Sequence, residues 1–390
     1  MEDKLNLIKQ FVDNHKEEIM QTWKDVVYLE GKTDEKENVE KVAARFKEEF
    51  EKVGFECTIK SVGDNACGTL VGVLGSERAG KPIIFSGHMD TVYPKGSWDD
   101  KLFEIEGNKV HGPGVLDMKG GIVIALYVAK ALEHIGFSEA PIKIILSGNE
   151  ENGHYQSEGA NVFLEESKGG LFAMNMETGR IDNSLCIGRK GCVVVSFDIE
   201  GIGAHAGNDF ESGRNAILEA GYKMNDVANL TNLEKGTTCN VGTIKGGTVS
   251  NAIPEFCTFE VDSRFKSKDE LERLKEAFKE IESKVYIEGT KTTLRYGRDF
   301  AMYETTEGVD KFYDYVTKTA AKFDFEVPGS VYLGGGSDAA YVTLAGTPCV
   351  CAFGVLGQWN HTKEEYALID SMYERIALCS AVVLNHKEFN

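Results

Sequence analysis

The sequence predicts an α/β protein in which one domain is inserted into another. Short apolar runs alternate with helical patterns through roughly the first 180 residues, and the alternation resumes after about residue 300. Apolar strands that alternate with helices are typical of a sheet covered on both faces. The segment between these regions has a different order of elements, and 390 residues are enough for more than one hydrophobic core.

The outer domain is predicted from the following elements in order. An amphipathic N-terminal helix carries Leu5, Ile8, Phe11 and Val12 on one stripe, and a second helix, with apolar residues from Val39 to Val53, ends at Gly54. Next come strands at 70–74 and 82–85, a helix at 121–134 and a strand at 142–146. After the insertion there are a helix at 308–323, strands near Val331 and Val350, and a helix at 371–384.

The inserted segment predicts a small domain of its own. Its elements are a strand at 192–199, a helix at 214–230, strands at 238–244 and 256–265, a helix from Ser267 to 285 and a strand at 292–298. Ser267 and Glu270 have the spacing of a capping box at the start of the second helix. The β-α-β-β-α-β order is the ferredoxin-like arrangement. The predicted bounds are 1–186 with 298–390 for the outer domain and 187–297 for the inserted one.

Composition and charge exclude several classes of partner. The chain has 43 basic and 62 acidic residues and a net charge of -19, so it repels nucleic acid. No run of 18 apolar residues occurs, and the charged N-terminal stretch does not resemble a secretory signal, so we expect no membrane association. The nine cysteines include no C-x-x-C pair, which favours small core residues in a reducing, cytoplasmic compartment.

A histidine and an aspartate follow the apolar strand at 82–85, in the motif Ser-Gly-His88-Met-Asp90. Residues two apart on a strand face the same way, so His88 and Asp90 can act together. Imidazole suits zinc, and a carboxylate on its other nitrogen sets its orientation. This pair alone is a weak indication of a metal site.

Carboxylates occur in two further motifs. Asp117 lies in the glycine-rich turn Gly-Pro-Gly-Val-Leu-Asp117-Met-Lys-Gly-Gly, where it can either bridge two cations or cap the helix that follows. Glu150 and Glu151 follow the strand at 142–146. Adjacent carboxylates in an extended turn point apart, so one can bind metal while the other faces a water. The alternative for this pair is plain solvated charge.

Two single residues complete the set, Glu177 in Met-Glu177-Thr-Gly and His361 in Asn-His361-Thr. Either one alone would carry no weight. Together with the preceding motifs they supply two histidines and three carboxylates. Those are the ligands expected of a site that holds two zinc ions with a shared aspartate.

In this order the motifs resemble those of the zinc-dependent metallopeptidase and deacylase family of glutamate carboxypeptidase, acetylornithine deacetylase, succinyl-diaminopimelate desuccinylase and aminoacylase. The resemblance covers nearly the whole chain and is closest to the glutamate carboxypeptidase branch. It implies a zinc-exopeptidase-like α/β/α catalytic domain with an inserted ferredoxin-like (βαββαβ) dimerisation and lid domain. It also implies a homodimer that acts on a small peptide or an N-acyl amino acid.

The resemblance also implies roles for the motif residues. It assigns the ligands of two metal ions: His88, Asp117 and Glu177 for one, and Asp117, Glu151 and His361 for the other. Glu150 matches the general base, Asp90 matches the partner that orients His88, and the peptide bond after Asp117 is expected to be cis. Two Zn2+ per chain are implied, and Co2+ or Mn2+ could occupy the same ligands. Glu177 is typical of the carboxypeptidase and deacylase branches, whereas Thr362 replaces the serine of many relatives.

Substrate groups are implied for the inserted domain and for one later loop. His205, in Gly-Ile-Gly-Ala-His205-Ala-Gly, resembles the histidine that reaches the partner subunit's active site and steadies the oxyanion. The residues that match positions holding the substrate carboxylate are Asn251, Arg264, Arg298, Gly334, Gly335 and Gly336. Arginine pairs bidentately with carboxylates. The alternatives are a structural histidine and surface salt bridges.

The expected function is metal-dependent hydrolysis of an amide bond next to a carboxylate, as a carboxypeptidase that releases a C-terminal, glutamate-like residue. An N-acyl amino acid deacylase is the alternative, because it uses the same residues. A non-catalytic ligand-binding relative is disfavoured because Glu150 and all five ligands are present. A Rossmann-type nucleotide binder is disfavoured because no G-x-G-x-x-G follows the early strands.

Overall fold

A computed structural model of the chain describes residues 2–389, which form two compact units. The first unit comprises the chain up to Gly188, Tyr303–Leu333 and the chain from Ser337 onward. The second unit comprises Arg189–Met302 together with Gly334–Gly336. The loop of three glycines, predicted within the outer domain, is thus grouped with the second unit.

The helices are α1 (Glu2–Asn14), α2 (Lys16–Tyr28), α3 (Lys36–Val53), α4 (Gly120–His134), α5 (Gly159–Glu166), α6 (Ala216–Ala228), α7 (Lys268–Ser283), α8 (Glu307–Lys322), α9 (Ala339–Leu344) and α10 (Ile369–Leu384). The strands are β1 (Glu56–Lys60), β2 (Cys67–Leu74), β3 (Ile83–His88), β4 (Glu104–Glu106), β5 (Lys109–His111), β6 (Ile142–Gly148), β7 (Phe172–Asn175), β8 (Gly179–Arg180), β9 (Leu185–Arg189), β10 (Gly191–Glu200), β11 (Ala204–His205), β12 (Thr238–Gly246), β13 (Ala252–Ile253), β14 (Phe256–Phe265), β15 (Lys291–Phe300), β16 (Ser330–Leu333), β17 (Cys349–Val350), β18 (Leu356–Gln358) and β19 (Tyr366–Leu368). A π-helical turn spans Val115–Lys119, and 3-10 turns span Phe210–Ser212 and His386–Phe389.

The first unit is built on a six-stranded sheet with the order β1-β2-β6-β3-β7-β17. Strands β6, β3, β7 and β17 are parallel, while β2 pairs antiparallel with both β1 and β6. Every residue of β3 and β7 is buried, which requires both faces of the sheet to be covered. The predicted α/β class is therefore confirmed.

A second sheet in this unit, with the order β4-β5-β19-β18-β8, was not predicted. Its strands are only two or three residues long, too short to show a period in the sequence. The helix predictions are confirmed: the four apolar residues of α1 are buried, and α3 ends at Val53, just before Gly54, whose φ is 107°. No helix among residues 2–389 is both long and apolar enough to cross a bilayer.

The second unit is an antiparallel sheet with the order β12-β14-β10-β15, whose core includes residues of α6 and α7. This confirms the ferredoxin-like β-α-β-β-α-β prediction. The Ser267 hydroxyl caps α7 by accepting from the Glu270 N–H, but the Glu270 carboxylate binds Thr237 and Arg273 instead of completing the capping box. Strand β15 continues to Phe300, which pairs with Cys192, so the unit extends past the predicted end at 297.

Candidate metal centre

The predicted metal ligands lie where the central strands of the first unit end. His88 is the last residue of β3, Glu150 and Glu151 follow β6, and Glu177 follows β7. These three strands are parallel neighbours, so their carboxyl ends meet at one edge of the sheet. That edge is where open α/β sheets bind ligands.

Asp117 reaches the same place from the turn before α4. It lies in the π-helical turn with non-helical backbone angles (φ -115°, ψ 94°), and the Asp117–Met118 peptide bond is cis, as expected. In the first turn of α4, Gly121 packs so closely on the Met176 carbonyl that a Cβ there would lie 1.9 Å from the oxygen. This close approach places the Asp117 turn beside Glu177.

The five predicted ligands form two groups that share Asp117. His88 Nε2 lies 3.2 Å from Asp117 Oδ1 and 3.3 Å from Glu177 Oε1. His361 Nε2 lies 3.2 Å from both Asp117 Oδ2 and Glu151 Oε2. Within each group the ligand atoms lie within 4.8 Å of one another, so each group can hold one metal ion. A carboxylate that offers one oxygen to each group suits a pair of cations.

Asp90 is buried beside His88, and its hydrogen bonds reach other residues besides the His88 imidazole. His88 Nδ1 lies 3.0 Å from the Asp90 main-chain oxygen and 3.5 Å from its carboxylate. The carboxylate accepts hydrogen bonds from the N–H groups of Glu150 and Glu151, both at 3.2 Å, and from the Thr33 hydroxyl at 2.7 Å. Asp90 therefore also holds the two glutamates in place, which the sequence did not predict.

The charges at the site explain the protonation of its histidines. Hydrogen bonds to Asp117 and then Glu151 raise the pKa of His361 to about 11. Burial opposes protonation of His88, but its carboxylate neighbours outweigh this and raise its pKa well above the ordinary value. The pKa of Asp117 is lowered because its hydrogen bonds to both histidines outweigh burial. In the absence of a metal ion, the carboxylates thus favour the protonated form of both imidazoles.

Glu150 is not a member of either ligand group, but it lies next to the first. Its Oε2 is 3.9 Å from His88 Nε2, and the residue is buried. Burial, together with repulsion from Glu177 and Asp338, raises the pKa of Glu150 well above its ordinary value. A buried carboxylate with a raised pKa beside a metal site suits proton transfer.

A second buried pair supports the segment that carries Glu150. His154 Nε2 lies 2.5 Å from Asp338 Oδ1, and His154 Nδ1 lies 3.1 Å from Asn149 Oδ1. Both His154 and Asp338 are almost fully buried, and burial raises the pKa of Asp338. Neither His154 nor Asp338 was predicted from the sequence as part of the site.

We expect His154→Ala to lower the free energy of unfolding of the first unit by about 3–5 kcal/mol, because it leaves a buried carboxylate unpaired. His154→Gln keeps a donor within reach of Asp338 and should lose less. Urea titration monitored by circular dichroism measures both. A loss below about 1 kcal/mol for His154→Ala would show that Asp338 does not depend on this pair.

In the second unit, the hydrogen bonds of His205 fix its tautomer. The N–H groups of Gly207 and Asn208 both donate to His205 Nδ1, at 3.1 Å each. Because Nδ1 is the acceptor, the ring proton lies on Nε2, which is left as a donor. The exposed His205 and Asn251 line one cavity of about 630 Å³ together with Lys245 and Glu255. This arrangement suits an anionic or carbonyl oxygen.

The other predicted substrate residues lie in different surroundings. Arg298 is exposed on β15. Arg264 pairs bidentately with Asp262, at 2.7 and 2.9 Å, and its Nη1 lies 3.4 Å from the Gly334 carbonyl. Arg189, which the sequence analysis missed, is buried and donates to the Gly336 carbonyl at 3.0 Å. In this structure Arg264 thus supports the glycine loop, and its Nε–Nη2 edge is engaged by Asp262.

Comparison with known proteins places this centre in context. Residues 84–385 match the model of "Peptidase family M20/M25/M40". The chain is 28% identical to carboxypeptidase G2 of Pseudomonas sp. (strain RS-16) over 392 residues, which cover 97% of this chain and 92% of that enzyme. It is 30% identical to acetylornithine deacetylase of Myxococcus xanthus over 210 residues, which cover 50% and 53% of the two chains.

Solved structures share the fold at lower identity. An M20 family metallo-carboxypeptidase from Sulfolobus solfataricus has a TM-score of 0.79 at 17% identity, covering 95% of this chain and 99% of the other. A tripeptidase from Staphylococcus aureus has a TM-score of 0.80 at 19% identity, covering 96% and 99%. At these identities the likeness concerns the fold alone.

Proposed function

Because the chain belongs to peptidase family M20/M25/M40, a family of metal-dependent peptidases and amidohydrolases, we propose that it is a carboxypeptidase that uses two zinc ions. The substrate is an amide whose C-terminal side carries a free carboxylate. The observation that carries this proposal is the pair of ligand groups sharing Asp117, with Glu150 beside them. Two histidines and three carboxylates are ligands that zinc accepts.

When bound, the cations would polarise the amide carbonyl and lower the pKa of a water. The first would be held by His88, Asp117 and Glu177, and the second by Asp117, Glu151 and His361. Glu150 takes the proton from the attacking water and passes it to the leaving nitrogen. Asp90 keeps both Glu150 and Glu151 in place through their N–H groups.

Groups of the second unit complete the proposed mechanism. We propose that the Nε2–H of His205 reaches the active site of the partner subunit, where it donates to the oxygen that becomes negative in the transition state. Arg298, Asn251 and the Gly334–Gly336 loop recognise the substrate carboxylate, while Arg264 and Arg189 support that loop through its carbonyl groups. Recognition of a free carboxylate restricts cleavage to chain ends or N-acyl amino acids.

A direct test combines metal content with substrate preference. We expect about two zinc ions per chain by mass spectrometry and hydrolysis that a chelator abolishes. A panel of peptides with C-terminal glutamate and of N-acetyl and N-succinyl amino acids then separates the two classes. Preference for the peptides supports the carboxypeptidase, whereas preference for the acyl amino acids favours the deacylase alternative, which acetylornithine deacetylase represents among the relatives.

We further propose that the protein is a homodimer formed through the edge strand β12 and the neighbouring helix α6. Strand β12 is at one edge of its sheet and is largely exposed. Large apolar side chains are exposed on both elements: Ile217 (39%), Leu218 (48%), Tyr222 (46%) and Ile244 (49%). An exposed edge strand beside an apolar helix face is a typical site of self-association.

Ile244→Asp combined with Leu218→Asp should shift the protein from dimer to monomer in sedimentation velocity, because two buried charges would face each other across a two-fold axis. Tyr296→Asp is the matched control, since Tyr296 is equally exposed (44%) on β15, the opposite edge strand. A dimer that survives the double substitution would place the interface elsewhere.

The proposal that His205 acts in the partner subunit has its own test. His205→Ala and Glu150→Gln are each expected to be nearly inactive. In a mixed dimer, one site combines the intact Glu150 of one subunit with the intact His205 of the other. Coexpression should therefore restore about a quarter of wild-type activity, as half of the dimers are mixed and each has one intact site. No recovery in demonstrably mixed dimers would mean that His205 acts within its own chain.

A further inference from the structure

Glu365 is a fully buried carboxylate close to the metal centre but outside both ligand groups. Its Oε1 accepts hydrogen bonds from the N–H groups of Leu116, at 2.9 Å, and Asp117, at 3.1 Å. Its Oε2 accepts from the Tyr93 hydroxyl at 2.6 Å. Each carboxylate oxygen thus has a hydrogen-bond partner, and Oε1 binds the backbone N–H of Asp117, the ligand that both groups share.

The same side chain is tied to the turn that carries His361. The Glu365 N–H donates to the Thr362 carbonyl at 3.2 Å, and the Tyr93 hydroxyl lies 2.8 Å from that carbonyl. Tyr93 is itself buried and packs edge-on against Trp98, with ring centroids 5.4 Å apart. The turn at 361–365 and the turn at 115–118 are therefore joined by one hydrogen-bonded cluster of Tyr93, Thr362 and Glu365.

His361 depends on such support more than the other ligands do. Its side chain is 51% exposed, and its φ is 63°, a left-handed backbone conformation that non-glycine residues seldom adopt. By contrast, the His88 side chain is 1% exposed at the end of a fully buried strand, and Glu177 follows another. Packing holds the ligands that belong only to the first group, whereas His361 has little packing around it.

We propose that Glu365 is a positioning residue for the second ligand group, Asp117, Glu151 and His361. It sets the distance between Asp117 and His361 by binding the backbone of one and the turn of the other. This inference rests on the proposed two-metal function. It predicts that the loss of Glu365 lowers the affinity for the second metal ion far more than the affinity for the first, because the first ion keeps His88 and Glu177 as ligands.

The test compares Glu365→Leu with Glu365→Gln. Leucine removes every hydrogen bond of the carboxylate. Glutamine keeps an oxygen for the N–H groups of Leu116 and Asp117, and its amide can donate to the Tyr93 hydroxyl, which then donates to the Thr362 carbonyl. Zinc affinities are measured by competition with a chromophoric chelator. We expect Glu365→Leu to lower the affinity for the second zinc about 10–100-fold and to leave the affinity for the first nearly unchanged. Both affinities of Glu365→Gln should stay close to wild type.

A purely structural role would give a different result. In that case Glu365→Leu would lower the melting temperature of the metal-free protein but leave both zinc affinities unchanged, and the proposal would be overturned. If Glu365→Leu does not fold, Tyr93→Phe serves instead, because it removes only the hydroxyl; a selective loss at the second zinc supports the proposal, and equal affinities overturn it. Failure of the wild-type protein to bind a second zinc would refute the two-metal function itself, which the wild-type titration shows separately.

Discussion

Replacing Glu150 by glutamine is expected to lower kcat by about 10³-fold or more while both metal ions remain bound. The amide keeps the size of the side chain but cannot accept the proton of the attacking water. Metal binding should survive, because Glu150 is in neither ligand group. Steady-state kinetics and metal analysis on the same preparation measure the two effects.

The neighbouring residue provides a matched control for this experiment. Glu151→Gln changes one adjacent carboxylate in the same way, yet Glu151 is a ligand of the second group. It should therefore lose affinity for one metal ion, and its activity should recover at high zinc concentration. Glu165→Gln, on the exposed surface of α5, should change neither quantity. If Glu150→Gln turned over at a near-normal rate with metal bound, another group would have to be the base.

Binding of metal to the metal-free protein is expected to release protons, and the affinity for metal should rise with pH. Without metal, His361 carries a proton, since Asp117 and Glu151 raise its pKa to about 11. A cation can bind Nε2 only after that proton leaves, so affinity at the second group should rise about tenfold per pH unit between pH 7 and 9. Burial also raises the pKa of Glu151 to about 7, so protonation of this second ligand should make the fall in affinity steeper below pH 7.

Isothermal titration calorimetry of zinc into metal-free protein, in two buffers with different ionisation heats, counts the released protons. The expected release at pH 8 includes one proton from His361, because Asp117 and Glu151 raise its pKa to about 11, and the raised pKa of His88 adds to the release as the pH falls. His361→Gln should release one proton fewer. Zinc binding with no proton release would show that the histidines are neutral before the metal arrives.

Local sequence patterns predicted most of the fold. The helices with a clear apolar stripe, such as α1, and the strands with long apolar runs, such as β3 and β6, lie where the periodicity indicated. The main helices and strands of the second unit also follow their predicted order, because each is long enough to show a clear hydrophobic period. Strands of two or three residues, such as β8 and β18, were missed because so few residues show no period.

For the site, the order of the motifs predicted which residues would be metal ligands, but local spacing could not show how they meet in the folded chain. His88 and His361 are 273 positions apart in sequence, yet both lie 3.2 Å from Asp117. The roles of Glu150 and Glu151 came from the resemblance to a family. In the structure, the Glu151 carboxylate lies against the His361 imidazole and the Glu150 carboxylate lies near the His88 imidazole.

The sequence by itself determined the α/β class, the inserted β-α-β-β-α-β unit and the set of proposed metal ligands, because these depend on periodicity and on short motifs. Only the tertiary structure decided what supports that set. Three sets of hydrogen bonds join residues far apart in the chain. They link Asp90 to the N–H groups of Glu150 and Glu151, His154 to Asp338, and Glu365 to the N–H group of Asp117. Such contacts form when buried polar groups must find partners in the folded core, a requirement that no local pattern records.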